Sequence, residues 1–153
     1  METVTYQGDV HELRKWAVNR CGDIPPPEPF KTWIEDLLTK GGGIIREKIG
    51  FWVGVITPDS PLSDDGEWCR GYPHAHCISV GWPKDSLTAI TYLSIPDEGG
   101  QFGLGGFSPD DPYEFIDVEE GLTVVCDGAT WHGARPVTKG TRMALITSGP
   151  PIE

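Results

Sequence analysis

The stretch that decides the fold is GLTVVCDGATWHGARPVTKGTRMALIT, residues 121–147. Three short apolar or β-branched runs, 121–126, 129–136 and 141–148, are separated by turn-forming Gly, Asp, Lys and Thr, the pattern of successive strands rather than of a helix. His132 lies in the second run. Arg142 opens the third, ten residues later, followed by Met143, Ala144, Leu145 and Ile146. An arginine with such apolar neighbours heads for the interior, where a guanidinium requires an anion. A bidentate carboxylate from a bound cosubstrate fits its geometry. An ion pair with one of the chain's own 23 acidic residues would satisfy it equally.

Working outward, the same short-strand pattern predicts strands near 50–57, 74–81, 87–94, 100–104 and 112–117. With the three above, they make about eight antiparallel strands and a closed or two-sheet architecture such as a jelly roll. The polar stretch between Thr57 and Tyr72 is long enough to serve as a lid or binding loop, with 58–71 its core. Before residue 42 the period is helical instead. Val10, Leu13, Trp16 and Ala17 predict a helix from about Asp9 to Cys21 with Asp9 as N-cap. Phe30, Trp33, Ile34, Leu37 and Leu38 predict a second from about Pro29 to Leu38, ended by Gly41-Gly42-Gly43. The expected organisation is one domain over 1–153, with residues 1–42 as helical support and 44–149 as the β core.

Composition narrows the classes. Hydrophobic residues are 38% and charged residues 23% of the 153, too apolar for a disordered chain. No run of about 18 apolar residues exists, so no membrane-spanning helix is expected. The net charge of −11 opposes a nucleic-acid partner. The first residues carry no basic and apolar leader pattern, which predicts a cytoplasmic protein. Cys21, Cys69, Cys77 and Cys126 are far apart and read as thiols rather than a disulfide frame. Gly 20 and Pro 14 suit many tight turns.

The chemistry concentrates in three histidines. His74 and His76 fall in YPHAHCISV, and on a strand a spacing of two puts both on one face, with Ala75 and Cys77 on the other. If His132 reaches the same interior, three neutral imidazoles cap one side of a metal and leave the opposite side open, as catalytic sites require. His11, in the first helix, reads as an ordinary surface residue. Trp68, Tyr72, Trp131 and Phe107 lie near the expected mouth, the first three as candidate substrate-pocket residues, while Cys126 reads as a small core hydrophobe.

The 121–147 stretch resembles the C-terminal half of the prolyl-4-hydroxylase-like iron(II)/2-oxoglutarate oxygenases: a Gly-led strand, a turn, the distal His, then Pro-Val-Thr-x-Gly-x-Arg and an apolar strand. Leu87-Thr-Ala-Ile-Thr-Tyr-Leu-Ser94, followed by Gly99-Gly100-Gln-Phe102, is similar to that family's Thr-x-x-x-Tyr-Leu-Asn and Gly-Gly-x-x-x-Phe segment. The resemblance spans about residues 70–148. It implies a double-stranded β-helix, His74 as first and His132 as distal iron ligand, and Arg142 as the anchor for the far carboxylate of 2-oxoglutarate. It also implies Tyr92 sharing that carboxylate and Ile90 lining the pocket. Fe(II), 2-oxoglutarate and dioxygen are then the expected cofactors and cosubstrates, acting on a small molecule or a peptide side chain.

One departure matters. Where the family has His-x-Asp or His-x-Glu, this chain has His74-Ala75-His76. Replacing a carboxylate by a neutral imidazole leaves one more net positive charge at the metal. Three outcomes follow, in order of preference: His76 ligates and supports oxygenase chemistry; His76 stays off the metal, with an anion or a loop carboxylate such as Asp65 or Glu67 in its place; or only binding survives. A three-His zinc hydrolase or hydratase shares the ligand set, but has no evident use for a buried arginine ten residues past its ligand.

Overall fold

The computed structural model describes residues 2–20, 24–79 and 81–149. Strand β1 (Glu2–Thr5) precedes helices α1 (Val10–Asn19) and α2 (Phe30–Thr39). The strands that follow are β2 (Gly50–Ile56), β3 (Cys69–His74), β4 (Leu87–Ser94), β5 (Glu98–Gly99), β6 (Phe102–Leu104), β7 (Glu114–Ile116), β8 (Leu122–Asp127), β9 (His132–Ala134), β10 (Val137–Lys139) and β11 (Arg142–Gly149). A short helix, α3 (His76–Ser79), sits between β3 and β4. A five-stranded sheet in the order β1-β8-β4-β11-β2 faces a four-stranded sheet in the order β3-β9-β6-β7, and β10 pairs with β5. All named pairings are antiparallel. This is the mostly β, double-stranded β-helix architecture the sequence led us to expect, with two helices packed outside it.

Alternation along the central strands separates support from site. Leu87, Ala89 and Leu93 of β4 and Met143 and Leu145 of β11 meet the helices, in a core with Tyr6, Leu13, Phe30, Ile34 and Leu38. The intervening residues Ile90, Tyr92 and Ala144 face the other way, where they pack with Phe102 and Val124 between the sheets. Period two therefore gives one strand two jobs. The helices are as their patterns require. Asp9 caps α1 by accepting from the Glu12 amide at 3.1 Å, and α2 buries Phe30, Ile34 and Leu38. Buried Glu35 is held by Lys31 at 3.0 Å and Arg46 at 3.5 Å. Cys21, the expected end of the first helix, lies outside the described residues. Among the described ones, Cys69, Cys77 and Cys126 are free thiols.

One local expectation needs correction. A strand at 74–81 is replaced by β3, which ends at His74, and by the turn of α3. Ala75 is fully buried, and its carbonyl accepts from the Ile78 and Ser79 amides at 3.0 and 2.9 Å, so the chain coils as soon as it has delivered His74. The 58–71 stretch, read as a lid or binding loop, has a defined local structure. It doubles back as a hairpin on β3, with Ser63 N to Trp68 O at 2.8 Å and Arg70 N to Pro61 O at 2.7 Å. Strand β1 was not foreseen: Glu-Thr-Val-Thr is too polar and short to signal a strand, and pairing with β8 is what makes it one.

Candidate metal centre and cosubstrate pocket

His74 and His132 are direct cross-strand partners at the ends of β3 and β9, and His76 arrives from the first turn of α3. Their ring centroids are 4.6 Å (His74 to His132), 4.8 Å (His76 to His132) and 5.1 Å (His74 to His76) apart. One ligating nitrogen from each lies within 4.8 Å of the others, and among the described residues no carboxylate joins the group. His76 thus stands with the other two, though from a helix and not from the strand face expected.

The hydrogen bonds behind the rings select their tautomers. His132 Nδ1 is 3.1 Å from the Thr130 carbonyl, which can only accept, so Nδ1 carries the proton and Nε2 keeps its lone pair. His76 Nδ1 is 3.1 Å from Thr88 Oγ1, which is 3.3 Å from Ser148 Oγ, itself 3.3 Å from the Leu87 carbonyl. The direction in which every contact carries one proton is His76 to Thr88 to Ser148 to Leu87, which again leaves Nε2 free. Buried polar partners of this kind orient metal-binding imidazoles. Burial, reinforced by the neighbouring rings, pushes His76 down to about 4 and His132 down to about 3, and burial also lowers His74. All three are neutral bases at physiological pH, the form a metal binds.

The same cavity, about 310 Å³, is lined by the three histidines, Ile90, Phe102, Ala144 and Arg142. Arg142 is only 7% exposed, and its Nη2 donates to the Tyr92 hydroxyl at 2.8 Å. Its Nε has no hydrogen-bond partner, and among the described residues no acid pairs with it. Of the two readings the sequence left open, the internal salt bridge is therefore absent here. A buried, unneutralised guanidinium facing a cavity with three metal-competent imidazoles has the charge and donors to receive a carboxylate. Tyr92, fully buried, has its hydroxyl raised by burial, with Arg142 opposing, so it remains a phenol.

Other expected residues fall differently. Tyr72 lines the cavity. Trp68 does not: it packs at a tilt against Tyr113, ring centroids 5.1 Å apart, and lies under the Arg135 guanidinium, in space left by Gly103 and Gly133. Trp131 lines a separate apolar groove with Cys77, Trp82 and Phe107. Cys77, in α3, lines that same groove rather than the metal-site cavity, and Cys126, pushed up to about 12 by burial, is an inert core thiol. Asp65 is occupied by Ser63 Oγ and the Glu67 amide, and Glu67 by Arg135 at 3.1 Å, so neither loop acid reaches the histidines. Sequence reasoning missed Trp52, Arg70 and Thr88 as lining residues. Thr88 was within reach, since it shares a strand face with Ile90 and Tyr92.

Fold and site together define a class: a double-stranded β-helix with three imidazoles beside a buried arginine in one cavity. By sequence the chain matches no family model and no curated protein. By structure it is similar to the viral collagen prolyl hydroxylase of Paramecium Bursaria Chlorella virus-1, at TM-score 0.65 and 17% identity over 99% of this chain and 90% of that one. A Pseudomonas putida prolyl-4-hydroxylase matches at TM-score 0.67 and 13% identity, covering 99% and 92%. HygX from Streptomyces hygroscopicus, solved with nickel and 2-oxoglutarate bound, matches at 0.57 and 15%, covering 97% and 81%. The fold is the one these oxygenase structures share.

Proposed function

We propose that this protein is a non-haem iron(II)- and 2-oxoglutarate-dependent oxygenase whose metal is held by His74, His76 and His132. The observation that carries the reading is Arg142, a buried cation that lacks an internal carboxylate and shares a cavity with the three histidines. Neither a zinc hydrolase nor a hydratase has a use for it. When bound, Fe(II) with 2-oxoglutarate and dioxygen supplies the oxidising chemistry: the cosubstrate loses carbon dioxide to become succinate, and the second oxygen atom goes to the substrate. The chain's own part is positional. Arg142 and the Tyr92 hydroxyl hold the far carboxylate, and Ile90, Phe102 and Ala144 form the apolar wall along its carbon chain. Three protein ligands, rather than four, leave room at the metal for cosubstrate and oxygen. The apolar walls exclude water from the reacting centre. The substrate is a small molecule or a peptide side chain.

The test is anaerobic. Adding Fe(II) and then 2-oxoglutarate to metal-free protein should produce a visible metal-to-ligand charge-transfer band, which bleaches in oxygen as succinate accumulates. Arg142→Leu should retain iron affinity and lose the band at cosubstrate concentrations that saturate the wild type. Tight retention of zinc with no band under any condition would sink the oxygenase reading in favour of the hydrolase.

A further inference from the structure

The charge inside the cavity opposes the charge of the chain. The protein carries 23 acidic and 12 basic residues, yet no Asp or Glu lines the cavity, whereas two arginines do. A divalent metal and Arg142 against a dianionic cosubstrate leave the space positive before the second arginine, Arg70, is counted. Arg70 has no part in the proposed metal or cosubstrate site. It lies with Trp52, Tyr72 and His74 among the exposed lining residues, on the open side of the cavity.

The backbone is shaped to put Arg70 there. Its φ of 60° is in the left-handed region that residues other than glycine rarely occupy, and Gly71 follows with φ 101°. The β3–β9 ladder is irregular between Cys69 and His74, and irregularities of this kind re-aim a side chain beside a site. The guanidinium donates to the Val55 carbonyl, and among the described residues no carboxylate pairs with it. One bond leaves most of its five donors for a ligand. Trp52 and Tyr72, 38% and 55% exposed, supply aromatic surface in the lining of the same cavity.

We infer that Arg70, Trp52 and Tyr72 form the substrate subsite, and that the substrate is a small organic anion. Its carboxylate or phosphate meets Arg70, and its planar or apolar body rests on the two aromatic rings. That the ligand is a substrate rests on the oxygenase reading; that the subsite selects anions does not.

The experiment titrates benzoate, phenyl phosphate and benzamide into protein loaded with redox-silent Zn(II) and 2-oxoglutarate. The two anions should bind about tenfold more tightly than the amide, the difference expected for one charge-assisted contact. The better of the two identifies carboxylate or phosphate as the preferred group. Arg70→Gln, which removes the charge and keeps a polar side chain, should erase the preference without changing Zn(II) or 2-oxoglutarate affinity, and Arg70→Lys should restore part of it. Benzamide binding as tightly as both anions, or a preference that survives Arg70→Gln, would overturn the subsite. The same titrations in Arg142→Leu protein with Zn(II) alone separate the two readings. An Arg70-dependent preference there upholds the subsite even if 2-oxoglutarate fails to bind the wild type, a failure that overturns only the proposed function.

Discussion

Replacing Thr88 by Val removes one oxygen from the interior and tests whether His76 is built to hold a metal. Thr88 is 2% exposed, and its hydroxyl is the acceptor 3.1 Å from His76 Nδ1. Valine has nearly the same shape and suits a central strand, so the fold should tolerate it. What changes is the proton on His76. With a methyl group facing Nδ1, the tautomer that leaves Nε2 free loses its partner, and an unmatched buried donor costs about 1–3 kcal/mol. Losing an outer partner of a metal-bound histidine typically lowers affinity about 10- to 100-fold, which is about 1.4–2.7 kcal/mol and agrees with that cost. Calorimetric titration of Zn(II) into metal-free wild type, Thr88→Val and Thr88→Ser should show the loss in Val and its recovery in Ser. Long-range ¹H–¹⁵N spectra of the metal-free protein should report the proton on Nδ1 of His76 in the wild type. A proton on Nε2, or a Val variant with unchanged Zn(II) affinity, would refute the relay and leave His76 a bystander.

Other outcomes follow from the same geometry. The metal-free protein should lose stability as pH falls from 6.5, the ordinary histidine value, through about 4: there the unfolded chain binds protons that half-buried His76 and buried His132 refuse. Urea midpoints across that range check it, and His132→Gln should flatten the slope. Phe30→Ala should cost about 3–5 kcal/mol in urea unfolding, since the ring is wholly buried between Tyr6 and Trp33. Gly99→Ala should destabilise by more than about 1 kcal/mol, because φ is 83° and a Cβ would lie 2.2 Å from the Pro136 carbonyl oxygen. An unchanged thermal midpoint would contradict that packing.

What could be read from the sequence was whatever local pattern fixes. Short apolar and β-branched runs at 87–94 and 141–148 predicted both strands, the apolar neighbours of Arg142 predicted its inward course, and the family resemblance implied the place of Tyr92 beside it. The capped, periodic front gave both helices to within two residues where they are described. The His74/His76 geometry was misread because strand alternation was extended past the point where buried Ala75 begins a helical turn. Trp68 and Trp131 were misplaced because proximity in sequence to a ligand says nothing about which side of the strand an aromatic occupies. Trp52 and Arg70 were invisible for a different reason. They enter the cavity only through the pairing of β2 with β11 and the irregular course of β3, which are long-range facts.

The position of β11 bears on how the molecule is made. It lies between β4 and β2, pairing Ile146 with both Ile90 and Trp52, although it follows them by some 50 to 90 residues. Until β11 arrives, β2 has no neighbour in its sheet, and Arg142 and Ala144 are missing from the cavity that Ile90 and Phe102 line. During synthesis the earlier strands must therefore wait with apolar edges unpaired, a hazard for aggregation that fast local folding cannot remove. A metal captured early by His74 and His76 would find neither His132 nor Arg142. The three-histidine cluster is thus complete only late in biosynthesis, so a metal it holds would be loaded after the chain has closed rather than serving as the seed on which it closes.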